Sequence, residues 1–188
     1  MNTFCDRSHM FAPSSICVRL TATIQNEIGS NFSGLKPWAI VDKFAETESK
    51  ITLMLSNSTG PAFAELNIVC SVDTHEPAIR HIDISGRMRH AEGPDKNFDN
   101  ISAEQLVYNY RNLGINVVTG TLCQPAKESN VTNTRTLEVR FTLLHTKINI
   151  DELSGRTYEF EVEIAKKAIP YIRAINDIKE QLLNQLVK

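Results

Sequence analysis

The chain has 188 residues, 41% of them hydrophobic, and sets 20 basic against 22 acidic side chains for a formal charge of -2. That is enough apolar material for a packed core, which excludes wholesale disorder. The near balance of charge excludes the basic excess by which nucleic-acid binders neutralise phosphate, and no run approaches the roughly 20 apolar residues of a membrane-spanning helix.

Residues 1–13 read as a polar, flexible N-terminal arm with no signal-peptide pattern. Ile16, Val18, Leu20, Ala22 and Ile24 fall at alternate positions and predict a strand with one face buried. Asn26 to Gly34 reads as a loop. Pro37 suits the first turn of a helix with Trp38, Val41 and Ala45 on one face and Ile40 and Phe44 beside it. Ile51, Leu53 and Leu55 predict a strand, Ser56 to Pro61 a turn, and Ala64, Leu66, Ile68, Cys70 and Val72 another strand. Residues 14–76 form a first α+β half on this reading.

A second half spans 77–188. Ile82, Ile84 and Met88 mark a strand, and Glu92 to Asp99 a polar loop. Ser102 and Gln105 make a capping box for a helix carrying Leu106, Tyr110 and Leu113, closed by Gly114. Ile115, Val117 and Val118 begin a strand that runs to about Cys123, and Gln124 to Asn133 reads as a loop. Leu137, Val139, Phe141 and Leu143 alternate with Glu138, Arg140 and Thr142. Tyr158, Phe160, Val162 and Ile164 alternate in the same way with Glu159, Glu161 and Glu163. Pro170 then starts a terminal helix with Ile172, Ile175, Ile178, Leu182 and Leu186 along one side. That stripe docks on the chain's own sheet or on a partner.

The fold class is therefore α+β: largely antiparallel twisted sheets, three helices, and a closing C-terminal helix. Both halves read strand, loop, helix, strand, hairpin, strand at a spacing of roughly 65 residues. An internal duplication explains that order, as does chance recurrence in an α+β chain.

Catalytic signatures are missing: there is no glycine-rich phosphate loop, G-x-S-x-G elbow or H-E-x-x-H helix. Cys5, Cys17, Cys70 and Cys123 are scattered, without a C-x-x-C pair, and read as reduced thiols of a cytoplasmic protein. Their even number leaves disulfides open. The sequons at Asn31, Asn57, Asn100 and Asn130 read as incidental in that compartment. His75, His81, Asp83 and His90 are the one cluster with metal-ligand chemistry, but their spacing matches no standard motif and solvated histidines are the plainer reading. A thiol nucleophile paired with His145 is disfavoured because two of its candidates lie on predicted buried faces, where a thiol pKa rises. The expectation is no enzyme, cofactor or metal. A dispersed hydrolase or transferase site around His81, Asp83 and His145 is the catalytic alternative. Glu159, Glu161 and Glu163 form a solvated face, a charged guard on an edge or a docking face for a basic partner.

From Leu66 onward the order of elements resembles the small subunit of contractile sheaths of the type VI secretion kind. Ile82-Asp83-Ile84-Ser85-Gly86-Arg87 is similar to that family's strand ending in a D-[FL]-S-G turn. Asn97-Phe98-Asp99 is similar to its N-F-D before a helix. Lys166-Lys167-Ala168-Ile169-Pro170-Tyr171-Ile172-Arg173-Ala174 resembles the V-P-x-[IL]-x-x-L entry to its closing helix. The resemblance covers residues 66–188. The family's D-F-x-P before the last helix is absent, Ile82 stands where a glycine is usual, and residues 1–64 have no counterpart. Ile169 to Ala174 also resembles the P-Y-x-R helix entry of SecB-type export chaperones, which are α+β with an exposed peptide-binding sheet.

The first resemblance implies a non-enzymatic structural or assembly subunit of a sheath, phage or secretion apparatus. Its partners are other protein subunits in a homo- or hetero-oligomer, without nucleic acid or membrane insertion. Residues 1–26 and a strand at 156–164 are the expected strand donors, and Tyr158, Phe160, Val162, Ile172, Ile175 and Leu182 the expected interface. The second resemblance implies a chaperone or adaptor holding a client on an exposed sheet face.

Overall fold

Ile16, Leu20, Ile24 and Ile28 stand four residues apart, and in the computed structural model they form the buried stripe of a helix, α2 (Pro13–Asn31). The structure describes residues 7–57, 62–91, 108, 116–123, 136–152 and 155–186. A single turn, α1 (Arg7–Met10), precedes α2. Pro13 sits at the start of α2, where its missing N–H has no intrahelical partner to lose. The Phe32 backbone N–H closes the other end on the Ile28 carbonyl at 2.9 Å.

The strand expected at 16–24 is thus a helix, and the loop expected from Asn26 is largely its last turns. Positions four apart satisfy both period two and period 3.6. Val18 and Ala22 decide between them, because a strand would bury them with Ile16 whereas a helix turns them outward. Both are exposed.

Six strands form one sheet: β1 (Leu35–Phe44), β2 (Glu48–Asn57), β3 (Ala62–Val72), β4 (Ile79–Ala91), β5 (Asn116–Cys123) and β6 (Thr136–Asn149). Their order is β1-β2-β3-β4-β6-β5, with every neighbouring pair antiparallel. The alternating segments at 51–55, 64–72, 82–88 and 137–143 fall in strands, as does 116–123 of the segment expected from Ile115. β1 replaces the helix expected from Pro37. A proline at the margin of a sheet removes no ladder hydrogen bond when its nitrogen faces outward. Trp38, Ile40 and Val41 are aromatic and β-branched residues that suit extended backbone.

One face of the sheet buries Ile51, Leu53, Leu55, Leu66, Ile68, Ile82 and Ile84. α2 lies across β1, β2 and β3 on that face, and α3 (Thr157–Leu186) packs along α2 and touches β6. α3 adds Ile164, Ala165, Ala168, Ile169 and Ile172 to the same core. Full burial of each large aliphatic side chain stabilises by about 1.5–3 kcal/mol over exposure, so this shared layer holds helices and sheet together.

α3 also replaces the strand expected at 156–164. Tyr158 is 74% exposed and Glu161 4%, the reverse of the predicted alternation. Glu161 accepts a hydrogen bond from Arg19 Nε of α2 at 2.6 Å. The supposed carboxylate face is therefore split, with Glu163 pairing Lys167 at 3.0 Å and Glu159 pairing Arg156 at 3.1 Å in solvent. Pro170 lies inside α3 rather than at its start.

With α2 in place of a strand and β1 in place of a helix, residues 14–76 run helix, strand, strand, strand. The first half thus departs from the plan predicted for both. β4 lies between β3 and β6 in one sheet, so the boundary expected at 76/77 falls in a turn between neighbours. Phe11, within the expected arm, is buried, and its carbonyl accepts from Arg80 Nε at 2.9 Å. The loop expected at 92–99, most of the capped helix at 102–114 and the loop at 124–133 lie outside the described residues.

Candidate interaction surface

Among the described residues both long helices pack on one face of the sheet, so the other face is made of strand side chains. Its middle is a depression of about 470 Å³ lined by residues that include Lys50, Glu65, Asn67, Arg87 and Arg140. Charges of both signs meet there: Glu65 pairs Arg87 at 2.6 Å, and Arg87 stands opposite Arg140 of β6. Thr52 donates its one hydroxyl proton to Asp42 while lying 2.9 Å from the Asn67 amide. Asn67 must then turn its NH2 toward Thr52, since the proton is already used.

Two histidine–aspartate pairs border the depression on the same face. His81 Nε2 lies 2.7 Å from Asp73 Oδ2, and the Asp73 Oδ1 accepts the backbone N–H of His75 at 2.8 Å and of Glu76 at 3.1 Å. The His81 hydrogen bond, and then those two backbone donors, hold the Asp73 carboxyl well below the usual carboxylate range. His145 Nδ1 pairs with Asp83 Oδ1 across the β4–β6 boundary. The two imidazole rings are 6.2 Å apart between centroids and tilted by 34°.

The structure therefore brings together His81, Asp83 and His145, and adds Asp73. The turn before β4 supplies Asp73, which no alternation pattern marks. Each imidazole is engaged by its own carboxylate. Among the described residues no group of three or more histidine, cysteine or acidic side chains is placed to hold a metal ion. His75 lies exposed in the β3–β4 turn, and the His90 side chain is outside the described residues.

The Asp73 geometry carries a sign for pH. A carboxyl held low when folded stabilises the fold above its unfolded pKa, near 3.9, and loses that contribution as pH falls toward its folded value. Wild type is expected to resist urea better than Asp73→Asn at pH 6, with the gap in midpoints narrowing by pH 3. A gap that does not change between those pH values removes this role from Asp73.

Cys17 and Cys70 are free and buried on the helix-covered face, so the sheet itself separates them from His145. Burial pushes both thiols up to about 12, with the neighbouring Cys17 adding to the rise at Cys70. Cys17 Sγ donates to the Ser49 carbonyl at 3.4 Å. Both behave as small core side chains.

The margin of the sheet at β1 differs from the rest of the surface. Trp38 is 47% exposed, Ile40 41%, Val41 58% and Phe44 60%. Four of the eight large exposed hydrophobic side chains among the described residues thus lie on this strand. A terminal strand also leaves one row of N–H and C=O groups without a sheet partner. Local pattern alone puts these residues in the helix expected from Pro37, and nothing in it marks an edge.

The six residues expected as an interface do not share one surface. Tyr158 is in solvent, Phe160 and Val162 are partly buried, and Ile172 is inside the chain's own core. Ile175 and Leu182 lie on α3 where side chains are outside the described residues. Among the described residues, the expected strand donors at 1–26 and 156–164 are helical wherever they are regular. No family model, curated protein or solved structure matches the chain. No helix among the described residues is long and apolar enough to cross a membrane.

Proposed function

We propose that this chain is a non-enzymatic assembly subunit that joins a neighbouring protein by strand contact, with β1 as the joining edge. The observation that supports this reading is the concentration of exposed apolar side chains on a strand that, among the described residues, has no sheet neighbour on one side. Strand addition supplies main-chain hydrogen bonds that do not depend on side-chain identity, while alternate side chains such as Trp38 and Ile40 supply selectivity. The resemblance of residues 66–188 to sheath small subunits points to an assembly of the same kind, a contractile sheath or a phage or secretion apparatus. With the two expected donor segments helical in their regular described parts, the donor role passes to β1.

A second reading is favoured by the open face. A depression of about 470 Å³ in the middle of that face, lined by residues of β2, β3, β4 and β6, suits a client segment laid across the sheet, as in SecB-type chaperones.

Trp38 is the chain's one tryptophan and reports directly on both readings. Because main-chain contacts carry the binding, a reduced, carboxymethylated, permanently unfolded model protein is an adequate probe. It is expected to shift Trp38 emission to shorter wavelength, and Ala39→Pro, which takes a main-chain donor from the edge without altering the open face, to weaken that effect at least ten-fold. A shift undiminished in Ala39→Pro assigns binding to the open face and to the chaperone reading. An unchanged spectrum at saturating probe, in a chain that also does not self-associate, overturns both.

A further inference from the structure

We infer that β1 pairs with the β1 of a second copy of this chain, antiparallel and two-fold about Ala39, so that two sheets become one continuous sheet. The inference rests on the proposed role of β1 as a joining edge and names what it joins.

The direction of the main chain follows from Pro37. It stands opposite Leu55 of β2 and has no N–H, so its nitrogen faces the free side of the strand. Strand alternation then aims the N–H and C=O groups of Ala39 and Val41 to the same free side. In a two-fold pairing about Ala39, the two Ala39 residues exchange N–H···O=C bonds, and each Val41 N–H reaches the Pro37 carbonyl of the other copy.

Side chains match in that register. Counting outward from Ala39, Trp38 meets Ile40 of the second copy, Pro37 meets Val41, and Lys36 meets Asp42. Trp38 and Ile40 lie on the open face, since they stand opposite Met54 and Thr52, and Asp42 lies there too because it accepts from Thr52. Lys36 shares this face by parity and is exposed. The open face of the junction would thus carry two aromatic–aliphatic pairs flanked by two opposite-charge pairs, the cross-strand combinations that stabilise antiparallel strands. The other face carries Pro37, Ala39 and Val41 only. A pairing about Ile40 instead sets Trp38 against Asp42 and Lys36 against Phe44, and the match is lost.

Access is open. Ala39, Ile40 and Val41 are all exposed, so α2 does not overhang this stretch. Pro37 and the irregularity between Val41 and Lys43 are devices that limit edge growth. Here they confine it, because the donor missing at Pro37 and the bulge leave few hydrogen-bonded registers. One strand pair buries less area than a standard stable interface, so the dimer is weak.

Sedimentation equilibrium of the full chain, from micromolar to about millimolar protein, tests this. The weight-average mass is expected to rise from 21.1 kDa toward twice that value, with Trp38 emission moving to shorter wavelength in step. Lys36→Glu alone and Asp42→Lys alone each place like charges opposite one another twice, and each is expected to weaken association at least ten-fold. An equimolar mixture of the two variants is expected to associate again, because each offers the complement of the other's charge. Ala39→Pro removes an outward N–H without touching the ladder to β2, and is expected to abolish association with an unchanged unfolding midpoint. A wild type that stays at 21.1 kDa throughout overturns the inference, as does a mixture no better than its components. If the wild type stays monomeric while the unfolded model protein still shifts Trp38 emission, self-pairing fails and the joining role stands. If neither occurs, both fall.

Discussion

Leu20→Ala is expected to lower the free energy of unfolding by about 2–5 kcal/mol, while Val18→Ala, two residues away, leaves it within about 0.5 kcal/mol. Leu20 is 1% exposed and packs beneath the sheet, so truncation forfeits its transfer energy and leaves a cavity where the neighbours are already fixed. Val18 is 46% exposed on the far side of α2. Replacing it removes little contact and replaces a β-branched residue by the best helix former, which adds a few tenths of a kcal/mol. In the strand that the alternation at 16–24 predicts, both side chains share one buried face and both truncations are costly. Urea denaturation with a common slope for the two variants decides it. Losses of similar size would remove α2.

That pair of residues also locates where sequence reading holds and where it fails. β2, β3, β4 and β6 were legible because apolar residues fall at alternate positions over most of each strand and most intervening residues are polar, Met54, Val69 and Leu144 being exceptions. Ile51, Leu53 and Leu55 lie in a run rich in β-branched and large apolar residues that ends at the Asn57-Ser58-Thr59-Gly60-Pro61 turn signals, too short for a helix of ordinary length. In α2 the apolar residues lie four apart, a separation common to both periods, and Val18 and Ala22 filled the gaps misleadingly. In the first turns of α3, Tyr158, Phe160, Val162 and Ile164 imitate a strand. The helix is announced only by partners far along the chain, above all Arg19, which takes Glu161 out of solvent.

The candidate surface was legible in the same uneven way. His81 and Asp83 share a face by simple alternation. His145 joins them only through the pairing of β4 with β6, a contact across 62 residues for Asp83 and His145. The status of β1 as an edge is a property of strand order, and no window of local sequence contains it. Pro37 illustrates the ambiguity, since the same missing N–H suits a helix start and a strand margin.

A second proline gives the other large prediction: Pro170→Ala is expected to raise stability by about 1–2 kcal/mol. Pro170 lies in the interior of α3, where its ring has no N–H for the Lys166 carbonyl and crowds it. In a helix interior proline is about 3 kcal/mol less favourable than alanine. Part of that is offset, because proline also restricts the unfolded chain by about 0.4–1 kcal/mol. Lys166 is exposed, so water satisfies its carbonyl and reduces the native cost further. Pro170 itself is exposed, and the substitution sacrifices no core contact. Had the helix begun at Pro170, as the sequence there suggests, the proline would occupy a first-turn position that needs no N–H, and alanine would be neutral or slightly harmful. The sign of the change in thermal midpoint therefore separates the two arrangements. A gain means that Ile164, Ala168 and Ile172 form one buried stripe running past the proline, and that α3 clamps α2 as a single rigid element.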